Sequence, residues 1–91
     1  MAEWTVSALA DLDATLEHIA RDNPEAARIV GNRILAAVAR LDQFPEIGHA
    51  GRRQGTRELT IPRLPYLIVY QLRQEQVVLL RLLHSSLLWP E

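Results

Sequence analysis

Neither cysteine nor lysine occurs in this chain of 91 residues. Without thiols there is no disulfide framework and no thiolate metal site, so the fold has to rest on its own packed core. That usage suits a reducing compartment, and the cytoplasm is the expected location. Because lysine is missing, all ten basic residues are arginine, and the glycines of 48–55 cannot form a phosphate loop of the kind that ends in Lys-Ser or Lys-Thr. Long apolar runs are missing too: the longest, Val77 to Leu83, is broken by Arg81 and falls well short of the ~18 residues of a membrane span. Glu3, Asp11, Asp13 and Glu17 near the start do not fit the apolar stretch of a secretory signal, so no membrane partner is expected.

What is present suffices for one domain, residues 1–91, that buries roughly 60–65% of the surface of its unfolded chain. A large internal active-site cavity is not expected at that size. The net charge is −1 and the isoelectric point about 6.3, which argues against a general polyanion-binding surface. Arginine in place of lysine favours planar, bidentate contacts, although a genomic preference produces the same count.

Glu3 to Val6 has the composition of a short strand. A helix follows from about Ser7, with Leu9, Leu12, Leu16 and Ile19 at helical spacing. Asn23 then offers an N-cap oxygen and Pro24 a pre-set φ for a second helix, whose face is Ala27, Val30, Ile34, Val38 and Leu41 and whose stop is Pro45. The glycine-containing stretch from Pro45 to Gly55 reads as a loop. Three strands are expected at about 56–61, 65–72 and 77–84, with Arg73 to Gln76 as a turn. The predicted fold is α+β in the order β-α-α-β-β-β: an antiparallel helical hairpin on one face of a small, mainly antiparallel sheet.

Arg81 sets the main puzzle, since a guanidinium cannot neutralise itself inside an apolar strand. Strict alternation puts Val77, Leu79, Arg81 and Leu83 on one face, and Val78, Leu80, Leu82 and His84 on the other. With the even face toward the helices, Arg81 projects from a second apolar floor that is exposed or covered by a partner. The plainer alternative is a structural ion pair, for instance with Glu58, or an arginine that snorkels to solvent. Tyr66 and Tyr70 share a face with Ile68 and Leu72, as partner contacts or as ordinary core aromatics. His84 ends a strand as an acid–base candidate or as a structural residue. Trp4 and Trp89 are docking candidates for the chain ends. His18 and His49 belong to no metal motif, and neither a metal nor a cofactor is expected.

Several strings taken in order, "W-T-x-x-A-L-x-D-L" (Trp4 to Leu12), "N-P-x-A-A" (Asn23 to Ala27), "L-x-x-F-P-x-x-G" (Leu41 to Gly48), "G-T-R-E-L" (Gly55 to Leu59), "P-Y-L-I-V-Y" (Pro65 to Tyr70) and "L-R-L-L-H" (Leu80 to His84), resemble the RelE/ParE superfamily of toxins from bacterial type II toxin–antitoxin modules. The resemblance covers nearly the whole chain. It implies one of two activities: ribosome-dependent cleavage of messenger RNA, as in RelE-like members, or poisoning of DNA gyrase, as in ParE-like members.

Metal-free RNA cleavage needs activation of a 2′-hydroxyl, stabilisation of a developing phosphate charge and protonation of a leaving oxygen. The residues available for these roles are Arg57, Tyr70, Arg81 and His84. However, lysine is absent, Leu67 stands where RelE-like enzymes tend to place an arginine, and Arg81 and His84 alternate to opposite faces. These departures favour the ParE-like alternative, a toxin without chemistry of its own that binds gyrase. The resemblance then implies a ParD-like antitoxin that folds into a groove of the toxin, a hetero-oligomeric complex, and operator DNA bound only through the antitoxin. Arg57, Arg63 and Arg81 are its candidate charged contacts, and Tyr66 and Trp89 its candidate apolar contacts.

Overall fold

The computed structural model describes residues 1–86. Strand β1 (Glu3–Trp4) leads into helices α1 (Val6–Asp22) and α2 (Pro24–Gln43), followed by strands β2 (His49–Ala50), β3 (Arg57–Thr60), β4 (Tyr66–Arg73) and β5 (Gln76–His84). The strands form one sheet in the order β1-β5-β4-β3-β2. β1 runs parallel to β5, and the other neighbours are antiparallel. The expected α+β architecture is present, with a short β2 added where the sequence suggested only loop. His49 and Ala50 have no strand-like pattern of their own and are strand residues only because they pair with Glu58 and Arg57. Among the described residues no helix is long and apolar enough to cross a membrane.

The helical hairpin is set by its caps. Thr5, not Ser7, starts α1: its hydroxyl oxygen accepts from the Ala8 N–H at 3.1 Å and donates to the Leu79 carbonyl at 2.8 Å. The helix start is thereby tied to β5 across the whole length of the sequence. At the other end one residue serves both helices. The Asn23 N–H closes α1 on the Ile19 carbonyl, while its Oδ1 accepts from the Ala26 N–H at 3.1 Å to open α2, with Pro24 at the first helical position. The buried face of α2 contains Ala27, Ile34, Val38 and Leu41, as its spacing predicts. In α1 it is Ala8 that is buried, whereas Leu9 stays exposed. α1 begins at Val6, one residue before the expected start, and the small side chain of Ala8 meets the core.

The core between helices and sheet includes Ile34, Leu41, Ile61, Ile68, Tyr70 and Leu79. A second cluster, Leu67, Val69 and Leu83 with Leu80 beside it, lies on the opposite side. Strict alternation along β5 fails. Val69 is opposite Arg81 and Tyr70 is opposite Leu79, so Leu80 is an extra residue at a β-bulge. Val77 and Leu79 face the helices before the bulge, and Leu82 faces them after it. The assignment of the even residues to the inner face therefore holds for Leu82 and fails for Val78 and Leu80. Nor do Leu67, Val69 and Leu83 form an exposed floor, because all three are buried.

Two local features carry measurable energy. A Cβ on Gly48 would stand 2.6 Å from the Tyr70 hydroxyl and 2.9 Å from the Glu58 carbonyl. Both neighbours belong to the sheet and have little room to move. Gly48→Ala should thus destabilise the fold by about 2 kcal/mol in denaturant titration. By contrast, Gln74 and Glu75 at the β4–β5 turn both take positive φ, at 52° and 69°, which side chains disfavour. Replacing the pair with Asn-Gly should raise stability by about 1 kcal/mol in the same assay.

Candidate functional site

The residues singled out by sequence divide into groups that the fold keeps apart. Arg57 and Tyr70 are register partners on β3 and β4, at the end of the sheet nearest the loop from Pro45 to Gly48. The Tyr70 side chain is fully buried; its hydroxyl accepts from the Gly48 N–H at 2.9 Å and donates to the Pro45 carbonyl at 2.8 Å. Arg57 donates through Nη1 to the Gly48 carbonyl at 2.8 Å and to the Glu46 carbonyl at 3.2 Å. Both side chains therefore hold the chain where it leaves α2 and approaches β2. Burial pushes the Tyr70 phenol above the ordinary tyrosine value, opposed by the Gly48 N–H and the Arg57 charge.

Four residues away along β4, about 13 Å at the usual strand rise, Tyr66 is opposite His84 on β5. Their rings meet edge to face with centroids 5.5 Å apart. Nδ1 of His84 accepts from the Ser86 N–H at 3.2 Å and lies 2.7 Å from the Ser86 hydroxyl. The neutral ring accordingly carries its proton on Nε2. Tyr66 packs at the margin of the main core, so it is part of the core and only partly available to a partner.

Arg81 has its answer in α1. Its Nε donates to Asp11 Oδ2 at 2.6 Å and its Nη2 to Asp11 Oδ1 at 3.0 Å, a bidentate pair between helix and strand. The same Oδ2 accepts from the Leu82 N–H at 3.0 Å. The Asp11 carboxylate holds the Arg81 guanidinium above its ordinary pKa, against the opposing effect of partial burial. Sequence reasoning foresaw a structural pair but named Glu58, which instead faces Arg52: Glu58 accepts from the Arg52 N–H at 2.9 Å. The partner missed was Asp11, read as one of several polar residues of α1. Only the approach of α1 to the β5 edge distinguishes it.

Arg63 is exposed, in a turn with φ of 65°, and makes no hydrogen bond or ion pair among the described residues. Trp89 lies outside the described residues. Trp4 packs against the main core beside β5. Among the described residues no group of three His, Asp or Glu side chains is placed to hold a metal ion. The four residues weighed for RNA cleavage do not converge: Arg57 and Tyr70 bind one loop, Arg81 is held by α1, and His84 stands at the far end of the sheet.

The model of a family described as the ParE toxin of the type II toxin–antitoxin system parDE matches residues 2–89. The Sinorhizobium fredii protein Y4kP is 39% identical over 97% of this chain and 91% of its own length. Toxin RelE2 of Caulobacter vibrioides is 32% identical over 91% of this chain and 92% of its own. A solved structure of a chromosomal ParDE toxin–antitoxin system from P. aeruginosa superposes with a TM-score of 0.81 at 30% identity, covering 90% of this chain and 92% of that one.

Two measurements follow from the site geometry. Asp11→Ala and Arg81→Ala should each cost about 2 kcal/mol of unfolding free energy, since each strands a partly buried partner. The double variant should lose at least about 1 kcal/mol less than the sum, as expected for coupled residues. Additive losses would show that the two side chains do not cooperate. For Tyr70, a raised folded pKa means that its contribution is complete below the unfolded value near 10 and is lost as pH climbs through the folded value. Wild type should lose stability in that alkaline window, and Tyr70→Phe should lose less there while being about 1–2 kcal/mol weaker at neutral pH.

Proposed function

The chain belongs to the ParE toxin family of type II toxin–antitoxin systems, and we propose that it arrests growth by binding DNA gyrase, with no covalent chemistry of its own. The observation that carries this reading is the engagement of the side chains a ribonuclease would need. The Tyr70 hydroxyl already donates and accepts within the fold, Arg57 is spent on two carbonyls, and Arg81 is clamped by Asp11. A general base or a phosphate-binding cation must be free to meet the substrate within hydrogen-bond reach. His84 alone retains an available ring nitrogen, and one acid–base group cannot both activate a nucleophile and stabilise the phosphate charge. A net charge of −1 also gives no long-range attraction toward ribosomal RNA.

On this reading the toxin acts in the cytoplasm and is silenced by a ParD-like antitoxin in a hetero-oligomeric complex. Operator DNA is met only through the antitoxin. Of the contacts expected from sequence, Arg63 is exposed and uncommitted among the described residues, and Tyr66 offers the accessible part of its ring. Arg57 and Arg81 serve the fold first.

The test is a pair of assays on the antitoxin-free protein: supercoiling by purified gyrase, and translation with intact messenger RNA. Inhibited supercoiling with trapped DNA cleavage and an intact message is the expected result. A cut message with normal supercoiling, abolished by His84→Ala, would overturn the proposal in favour of the RelE-like activity.

A further inference from the structure

The helices cover one face of the sheet. On the other face Leu67 and Val69 of β4 and Leu83 of β5 form a separate apolar cluster, with Leu80 packed at its margin. Their exposures are 6%, 0% and 7% within the single chain. A side chain on a bare sheet face has only its cross-strand neighbours for shelter. Thr60, the neighbour of Leu67 on β3, is itself exposed. Burial this complete in the middle of a face requires a layer laid over it from outside the sheet. The helices do not supply that layer, since α1 packs on β5 and α2 mainly on α1, both toward the main core. The loop after β2 meets this face through Arg52, at Glu58 beside Val69. That leaves Leu67 and Leu83, two residues further along β4 and β5, to be covered by something else.

The chain delivers an apolar segment to this spot. β5 ends at His84, next to Leu83, and the backbone turns at Ser85 and Ser86. The Ser85 N–H donates to the Pro65 carbonyl at 2.8 Å and the Ser86 N–H to His84 Nδ1 at 3.2 Å, which ties the turn to the start of β4. Residues 87–91 follow, with the sequence Leu-Leu-Trp-Pro-Glu. Extended, five residues reach about 17 Å. Val69 is four residues from Pro65, about 13 Å at the usual strand rise, so the whole cluster is within range. Two leucines and an indole supply apolar area, and Pro90 brings no N–H to be left unpaired on a sheet face. We propose that residues 87–91 fold back across this face as a strap and that Trp89 seats on Leu67, Val69 and Leu83. An indole buries about 200 Å², which suits a patch of three side chains. A stable dimer needs about 800 Å² from each partner, so a second copy of the chain fits the patch less well. The strap gives the sheet a cover on both faces and withdraws apolar surface that would otherwise promote association. Of the two roles open to Trp89, docking its own segment and meeting the antitoxin, this face favours the first.

The chain has two tryptophans, so Trp4→Phe in the full chain leaves Trp89 as the sole indole. Its quenching by iodide is measured in buffer and in urea. Trp89 should be several-fold less accessible in the folded protein, and equal quenching in the two states would overturn the proposal. A double-mutant cycle in the chain that keeps Trp4 guards against a Trp4→Phe protein that fails to fold. Trp89→Ala and Leu83→Ala should each lower the urea midpoint, and the double variant should lower it by less than the two shifts combined. Additive shifts would mean that the side chains do not touch and would overturn the strap. Sedimentation over a range of concentrations separates the other occupants. A monomer with a shielded Trp89 is the expected result. A dimer whose Trp89 is open to iodide would give the face to a second copy instead, and an open Trp89 that added antitoxin shields would give it to that partner.

Discussion

The Asp11 carboxylate is the contact on which the arrangement of layers depends. Strand β1 covers only Val78 and Leu79 of the β5 edge, so the backbone beyond that point needs other partners. Thr5 takes the Leu79 carbonyl, and Asp11 takes the Leu82 N–H together with the Arg81 guanidinium. A strand edge is thus closed by a helix, which removes a template for pairing with a second chain. Residues 70 apart in sequence meet here, so this contact holds the first helix in register with β5.

The same contact explains why the molecule offers a groove on its other side. α1 rests over β5 and α2 mainly on α1, and Leu59 and Ile61 line an opening beside α2 that is walled by arginines. Tyr70 and Arg57 complete the frame by holding the chain between Pro45 and Gly48 against the sheet. Polar side chains that look reactive in sequence are thereby absorbed into holding layers together. What remains available is surface, with a charge pattern suited to recognition.

Replacing Arg81 or Tyr70 acts first on the fold, since each side chain ties two segments together. Arg33, Arg40 and Arg63 stand apart from the core and report on partners with less ambiguity.

Much of the architecture was legible in the sequence because it depends on local periodicity and caps. The face of α2, the shared Asn23 and Pro24 between the helices, and the alternation that puts Tyr66, Ile68, Tyr70 and Leu72 together all follow from residues a few positions apart. The candidate site was legible only as a set of residue types. The partner of Arg81, the pairing that creates β2, the bulge at Leu80 that reverses the faces of β5, and the groove between α2 and β3 each depend on segments distant in sequence. The sequence by itself determined the elements, their order and their apolar faces, since these are set by spacing and steric preference along the chain. Tertiary structure decided which charges were neutralised and which were left exposed, because an ion pair forms only where packing brings two side chains within reach.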